Sequence, residues 1–227
     1  CECVGNVSGH SCTAQNWIPW GNATTNSLPT ESGYYYLVGD ITLSETATIA
    51  AGTDIHLCLN GHTITSSVRT FGIKGTFTLT DCSAQKTGTV VSSSTTSYGP
   101  VFYCYINSVF NLYGGTLTAT STTLAGGIGT IGNNTSDAAT MNMYGGEISG
   151  NSGSSGIIYM GGASDFNMYG GTIKNNTANN GIIYAYGSGN AVAIHGGTIS
   201  NNTANVSGGV VYARSTSPIT IKNATIT

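Results

Sequence analysis

The stretch FNMYGGTIKNNTANNGIIYAY, residues 166–186, and the earlier MNMYGGEISGNSGSSGIIYM, residues 141–160, are two copies of one pattern. Each opens on alternating apolar residues, turns at a Gly-Gly pair and resumes around an isoleucine. Each then passes through Asn and Gly, with Thr and Ala in the first and Ser in the second, and closes on a short apolar run. Short strands of about three to five residues separated by Gly, Asn and Ser turns read as one coil of a parallel β-helix rather than as a strand-helix-strand unit. No segment keeps a 3.6-residue apolar period long enough for a crossover helix.

Outward from these copies the pattern runs through most of the chain. Aligning the Gly-Thr-apolar motif and its variants puts Ile64, Val90, Leu117, Ile148, Ile173, Ile199 and Ile226 in one column, at spacings of 26, 27, 31, 25, 26 and 27 residues. One coil cannot bury its apolar face alone. Coils stacked about 4.8 Å apart bring equivalent positions into ladders and create a continuous core. The sequence therefore predicts an all-β, right-handed parallel β-helix of about seven three-stranded coils over residues 33–227, with a small cysteine-containing cap over residues 1–32. Alternation turns Phe110, Met141 and Phe166 inward and Asn111, Asn142 and Asn167 outward. Past the anchors, Asn175 and Asn176 are expected to stack on Asn201 and Asn202, with Asn151 in the coil before. Such ladders satisfy backbone and neighbouring amides at a turn.

Composition agrees with this reading and excludes others. Only 7% of the 227 residues are charged, against roughly 25% in an ordinary domain. Thirty-three glycines and many Ser, Thr and Asn stand in their place, and 39% of residues are hydrophobic, enough to fill a core. A net charge of −3 offers no basic patch for nucleic acid. No apolar run approaches the roughly 18 residues of a membrane span, and no signal peptide is visible, so export or anchoring is expected to reside outside these residues.

The pattern resembles the pectin-lyase-like β-helix superfamily. In detail, CECVGNVSGHSC, LPTESGYYYLVGDITL, LCLNGHTIT, FTLTDCS and the repeated MYGGTI blocks look like β-helix modules of large surface proteins from gut Firmicutes. The resemblance covers nearly the whole chain. It implies display at the cell surface more than it implies a chemistry.

Polysaccharide cleavage is the enzymatic reading to test, because the superfamily contains lyases and hydrolases. Hydrolysis needs two carboxylates about 5 to 9.5 Å apart. Asp40, Glu45, Asp54, Asp81, Asp137, Glu147 and Asp165 fall in different registers, and no Asp-x-Asp or Asp-Asp pair occurs. A lyase needs an acidic calcium cluster beside an Arg or Lys base, and the sequence shows no such cluster. Glu147 and Lys174 suit a surface ion pair. The reading is a non-catalytic module, with a carbohydrate-active enzyme as the alternative.

The cysteines point to a staple. Cys1, Cys3, His10 and Cys12 place four soft ligands within twelve residues, matching the Cys3His set of a structural zinc site. Disulfides are the rival in an exported chain. Trp17, Ile18 and Trp20 would then help this segment cover the end of the rod. Cys58 and Cys82 lie on neighbouring coils about three positions out of register, so a bond between them requires the Asp81-Cys82 corner to fold back. Cys104 aligns with Met160, Ala185 and Ala213 and reads as a buried small hydrophobe.

Candidate binding residues lie on the outside. Four positions before each anchor stand Asn60, Lys86, Tyr113, Tyr144, Tyr169, His195 and Lys222, a column with three tyrosines and a histidine at its centre. A second column, Tyr103, Tyr159, Tyr184 and Tyr212, runs along the third strand. Outward tyrosines at coil spacing suit sugar rings or a protein partner, since each joins a large apolar face to a polar tip. The alternative is that the rings only pack on one another and shield the glycine corners. Thr63 and Thr65, Thr116 and Thr118, and Thr225 and Thr227 form a further array similar to the face of β-helical ice-binding proteins, but Glu147 and Lys174 interrupt it and ordinary strand preference explains it. The expected function is adhesion to host or cell-wall glycans or glycoproteins, or spacing, by an extracellular module with no nucleic-acid partner.

Overall fold

The computed structural model describes residues 16–21, 25–121, 126–132 and 138–227. Among these, the strands form three long parallel sheets wrapped around one core. Sheet A has nine strands, from Ile18–Trp20 to Ile219–Ile221, and sheet B has eight, from Ile41–Leu43 to Thr225–Ile226. Sheet C has seven, from Ala47–Ile49 to Val211–Ala213, and a short fourth sheet joins Ser152–Gly153, Thr177–Ala178 and Thr203–Ala204. The chain visits A, B and C in turn, so each circuit adds one strand to every sheet. This is a right-handed parallel β-helix of about seven turns.

The anchors meet as register partners in sheet B, where Ile64, Val90, Leu117, Ile148, Ile173, Ile199 and Ile226 follow one another. Ile41 precedes them as the partner of Ile64. Its motif reads Gly-Asp-Ile, which hides it from an alignment on Gly-Thr. Phe77, Phe110, Met141 and Phe166 form the matching inward column of sheet A and are fully buried. In sheet C, Cys104 pairs with Ile131, and Met160 with Ala185, as the aligned apolar runs required. Ile18–Trp20, within the segment read as the cap, pairs in parallel with Gly33–Leu37 and opens sheet A.

The repeated Gly-Gly has a separate reason at each position. A Cβ on Gly170 would lie against the Tyr144 carbonyl oxygen of the previous coil. Gly171 turns the corner with φ at +85°, where a side chain is strained. After the anchors, Asn176 and Asn202 continue inward from Asn151 as an amide ladder, while Asn175 and Asn201 take left-handed φ of 54° and 53° and form the turn itself. Cys58 and Cys82 are joined by a disulfide with a Cα–Cα distance of 5.9 Å. The corner does fold back, around the buried carboxylate of Asp81.

Candidate functional site

Sheet A positions the first aromatic column. Tyr113, Tyr144, Tyr169 and His195 each follow the last inward residue of their strand, and their backbone N–H groups still donate to Leu79, Leu112, Met143 and Met168 of the preceding coil at 2.7–2.8 Å. The ladder spacing is thereby imposed on the side chains. Ring centroids stand 4.5 Å apart for Tyr113 and Tyr144, 5.0 Å for Tyr144 and Tyr169, and 5.2 Å for Tyr169 and His195. The planes lie within 16°, 9° and 18° of parallel. Tyr144 and Tyr169 are 40% and 47% exposed. Because each inner ring gives both faces to its neighbours, the ladder presents ring edges and phenolic oxygens outward. Burial, and then the neighbouring Tyr169 phenol, push the Tyr144 hydroxyl above its usual pKa, so it stays protonated and able to donate.

Two residues earlier on the same strands, Asn111, Asn142 and Asn167 form a second ladder on the outer face. Nδ2 of Asn167 donates to Oδ1 of Asn142 at 3.0 Å, and Nδ2 of Asn142 to Oδ1 of Asn111 at 2.9 Å. Nδ2 of Asn111 donates to the Thr78 hydroxyl at 3.3 Å. A chained amide uses one N–H and one lone pair on its neighbours and keeps the others for a ligand. Amides and phenols thus run side by side along the rod. Asn60 and Lys86, the first members of the expected outward column, do not join the rings. Both adopt left-handed φ, and their side chains turn back to carbonyl oxygens of Leu37 and Asp81.

No family model matches the chain, and no curated protein or solved structure matches it. What the chain shows by itself is the parallel β-solenoid and the groups displayed on its faces.

The second column sits in sheet C, where Tyr159, Tyr184 and Tyr212 are successive register partners and Tyr103 pairs with Thr130. Alternation points these rings out of the core, yet Tyr159 is only 7% exposed. A layer of side chains two residues further along, or from the preceding loop, folds over them: Tyr98 and Tyr186 on Tyr159, Tyr105 on Tyr103, and Arg69 above Tyr103. The sequence carried a signal for part of this cover, since FYCY, IYAY and VYAR repeat an aromatic or arginine two residues after the tyrosine, on the same face of a strand. Contact with a ligand therefore falls to the covering residues.

Four of the acids, Asp40, Asp54, Asp81 and Glu147, have local partners. Asp81 accepts from the backbone N–H groups of Gly61, Ser83 and Gly88 and from the Ser83 hydroxyl. Burial raises its pKa, but these bonds outweigh burial and hold the carboxyl below the usual range. Asp40 accepts from Thr63 N–H and lies 3.4 Å from His62, and Asp54 lies 3.2 Å from His56. Glu147 and Lys174 meet at 2.8 Å, as their offset registers allow. Burial drives the Cys104 thiol up, which keeps it unreactive. Cys1, Cys3, His10 and Cys12 lie outside the described residues. Among the described ones, no three His, Cys, Asp or Glu side chains gather as a metal site, and no helix is long and apolar enough to cross a membrane.

Proposed function

We propose that this β-helix is a non-catalytic binding module displayed outside the cell, of the kind found in large surface proteins of gut Firmicutes, and that it holds linear glycans of host or cell-wall origin. The observation that supports this reading is the stacked ladder Tyr113, Tyr144, Tyr169 and His195, flanked by the Asn111, Asn142 and Asn167 amides. Rungs 4.5–5.2 Å apart repeat a ring edge, with a hydroxyl and an amide on each of the three tyrosine rungs and an imidazole on the fourth, at nearly the residue repeat of an extended β-linked sugar chain. A glycan lying along the rod would meet one set of groups per sugar. Amides satisfy hydroxyls, while ring edges cover sugar C–H surface.

A glycan array run beside reducing-sugar and unsaturated-product assays tests the reading. Retention of glycans with no released product is the expected outcome. Product formation would replace the binding module by a carbohydrate-active enzyme. Tyr144→Ala and Tyr169→Ala should each weaken retention by roughly 1 kcal/mol or more while the circular dichroism spectrum stays unchanged. Unchanged affinity in both variants would remove the ladder from the site. At the N-terminal end, Cys1, Cys3, His10 and Cys12 are proposed to hold one structural zinc that fastens the cap.

A further inference from the structure

The outer surface of sheet C differs in chemistry from the ladder on sheet A. The chain has six Lys and Arg residues, and three of them, Arg69, Lys74 and Arg214, lie on the tyrosine layer of this one sheet. Each cation stands over a ring face: Arg69 at 4.6 Å from the Tyr103 centroid, Lys74 at 5.4 Å from Tyr105 and Arg214 at 4.7 Å from Tyr186. Ring contacts join Tyr105 to Tyr103 and, in a second group, Tyr98 through Tyr159 to Tyr186, and Arg69 links the two by lying over Tyr103 and donating to the Tyr98 carbonyl. The Phe71–Ile73 and Val211–Ala213 strands beneath the two ends are five coil steps apart, about 24 Å at the usual strand spacing.

Arg69 is built in rather than loosely attached. Its Nε donates to the Gly99 carbonyl at 3.0 Å, one terminal nitrogen to the Tyr98 carbonyl at 2.7 Å and the other to the Tyr105 hydroxyl at 3.5 Å. A guanidinium has five N–H donors, so one remains on each terminal nitrogen, the pair that grips a carboxylate from the end. Ring stacking and the two carbonyl bonds fix the fork before any ligand arrives. Tyr159, in the middle of the belt, is pushed far above its usual pKa by burial and then by the adjoining tyrosines, and it keeps its proton. The belt therefore offers cations at intervals with neutral hydroxyls and ring surface between them.

We infer that this belt is a second binding surface, separate from the sheet A ladder, and that it takes a linear polysaccharide bearing carboxylates. Sparse, fixed cations complement a chain whose negative charges are spaced along it. The hydroxyls and C–H faces of its sugars meet the intervening phenols. An acidic peptide fits less well. Extended peptides gain affinity by pairing with a free strand edge, and the belt lies on the outer face of sheet C, whose internal strands are paired on both sides.

The test uses the intact chain with three probes: a linear polyuronate, the same polymer after carboxyl reduction, and poly-glutamate of similar length. Calorimetry should show binding of the polyuronate that is at least tenfold weaker for the carboxyl-reduced form, and weaker again at about 1 M salt, where charge interactions reach only about 3 Å. Arg69→Gln should weaken polyuronate binding at least tenfold. Arg214→Gln and Lys74→Gln, at exposed side chains that leave the loops untouched, should each weaken it several-fold. Tyr144→Ala, on sheet A, should not change it. Equal affinity for the carboxyl-reduced polymer, poly-glutamate binding as tightly as polyuronate, or indifference to all three cation substitutions would overturn the inference. Loss of polyuronate binding in Tyr144→Ala would overturn it as well, by moving the acidic ligand to the ladder, whereas neutral-glycan binding retained by the three cation variants would leave the ladder reading standing.

Discussion

Asp81 shows how much a single side chain holds in a chain with so few charges. Its carboxylate closes the corner between Thr80 and Gly88 by accepting three backbone N–H groups, and Lys86 ties the same corner through the Asp81 carbonyl at 2.7 Å. Because the folded carboxyl titrates below its unfolded value, the ionised form favours the folded state. That contribution is complete above about pH 4, the ordinary carboxylate value, and is lost as pH falls further through the folded pKa. Asp81→Ala should cost about 1–3 kcal/mol at neutral pH by leaving N–H groups unpaired. Urea denaturation at pH 7 and pH 3 checks this. The gap between the two proteins should shrink at pH 3, and a constant gap would mean that ionisation of Asp81 is not what stabilises the corner.

At the scale of strands and turns, the buried amide ladder is the most cooperative element. Oδ1 of Asn176 accepts from both the backbone N–H and Nδ2 of Asn151 at 2.9 Å, and Asn176 gives the same two bonds to Asn202 at 3.0 and 2.9 Å. Asn176→Ala should therefore destabilise the rod by about 1–3 kcal/mol and raise hydrogen exchange first at the backbone amide of Asn151, which loses its acceptor. Uniform exchange along the rod would contradict that local origin. This ladder, the anchor column and the Tyr113 to His195 column were legible in the sequence because each recurs once per coil, at a fixed offset from the others. Three features were not. The fold of Asp81 and Cys82 toward Cys58 depends on a corner that occurs once, without a repeat to average over. The exposure of Tyr103 and Tyr159 is decided by Arg69 on the first and by Tyr98 and Tyr186 on the second, all three from other coils. The edge-outward pose of the sheet A rings follows from coil spacing being close to ring-stacking distance, which a list of positions does not reveal.

Over the whole molecule, stacking converts local chemistry into linear arrays. Phenols and amides run along sheet A, and cations over tyrosines run along sheet C. The N-terminal set has its own test at this scale. Elemental analysis should find about one zinc per chain, and chelation should loosen the cap while the distal coils remain folded. Mass spectrometry showing Cys1, Cys3 or Cys12 in disulfides would defeat the metal. The array on sheet A makes the most direct claim, that a glycan lies along the rod and meets one rung per sugar. Its measurement is the affinity of the glycan retained on the array as a function of oligosaccharide length, for the native chain and for Tyr144→Ala. Affinity should climb with each added sugar, level off once the four-rung ladder is spanned, and lose this climb in the variant. An affinity independent of length, or a climb that Tyr144→Ala leaves intact, would contradict the account.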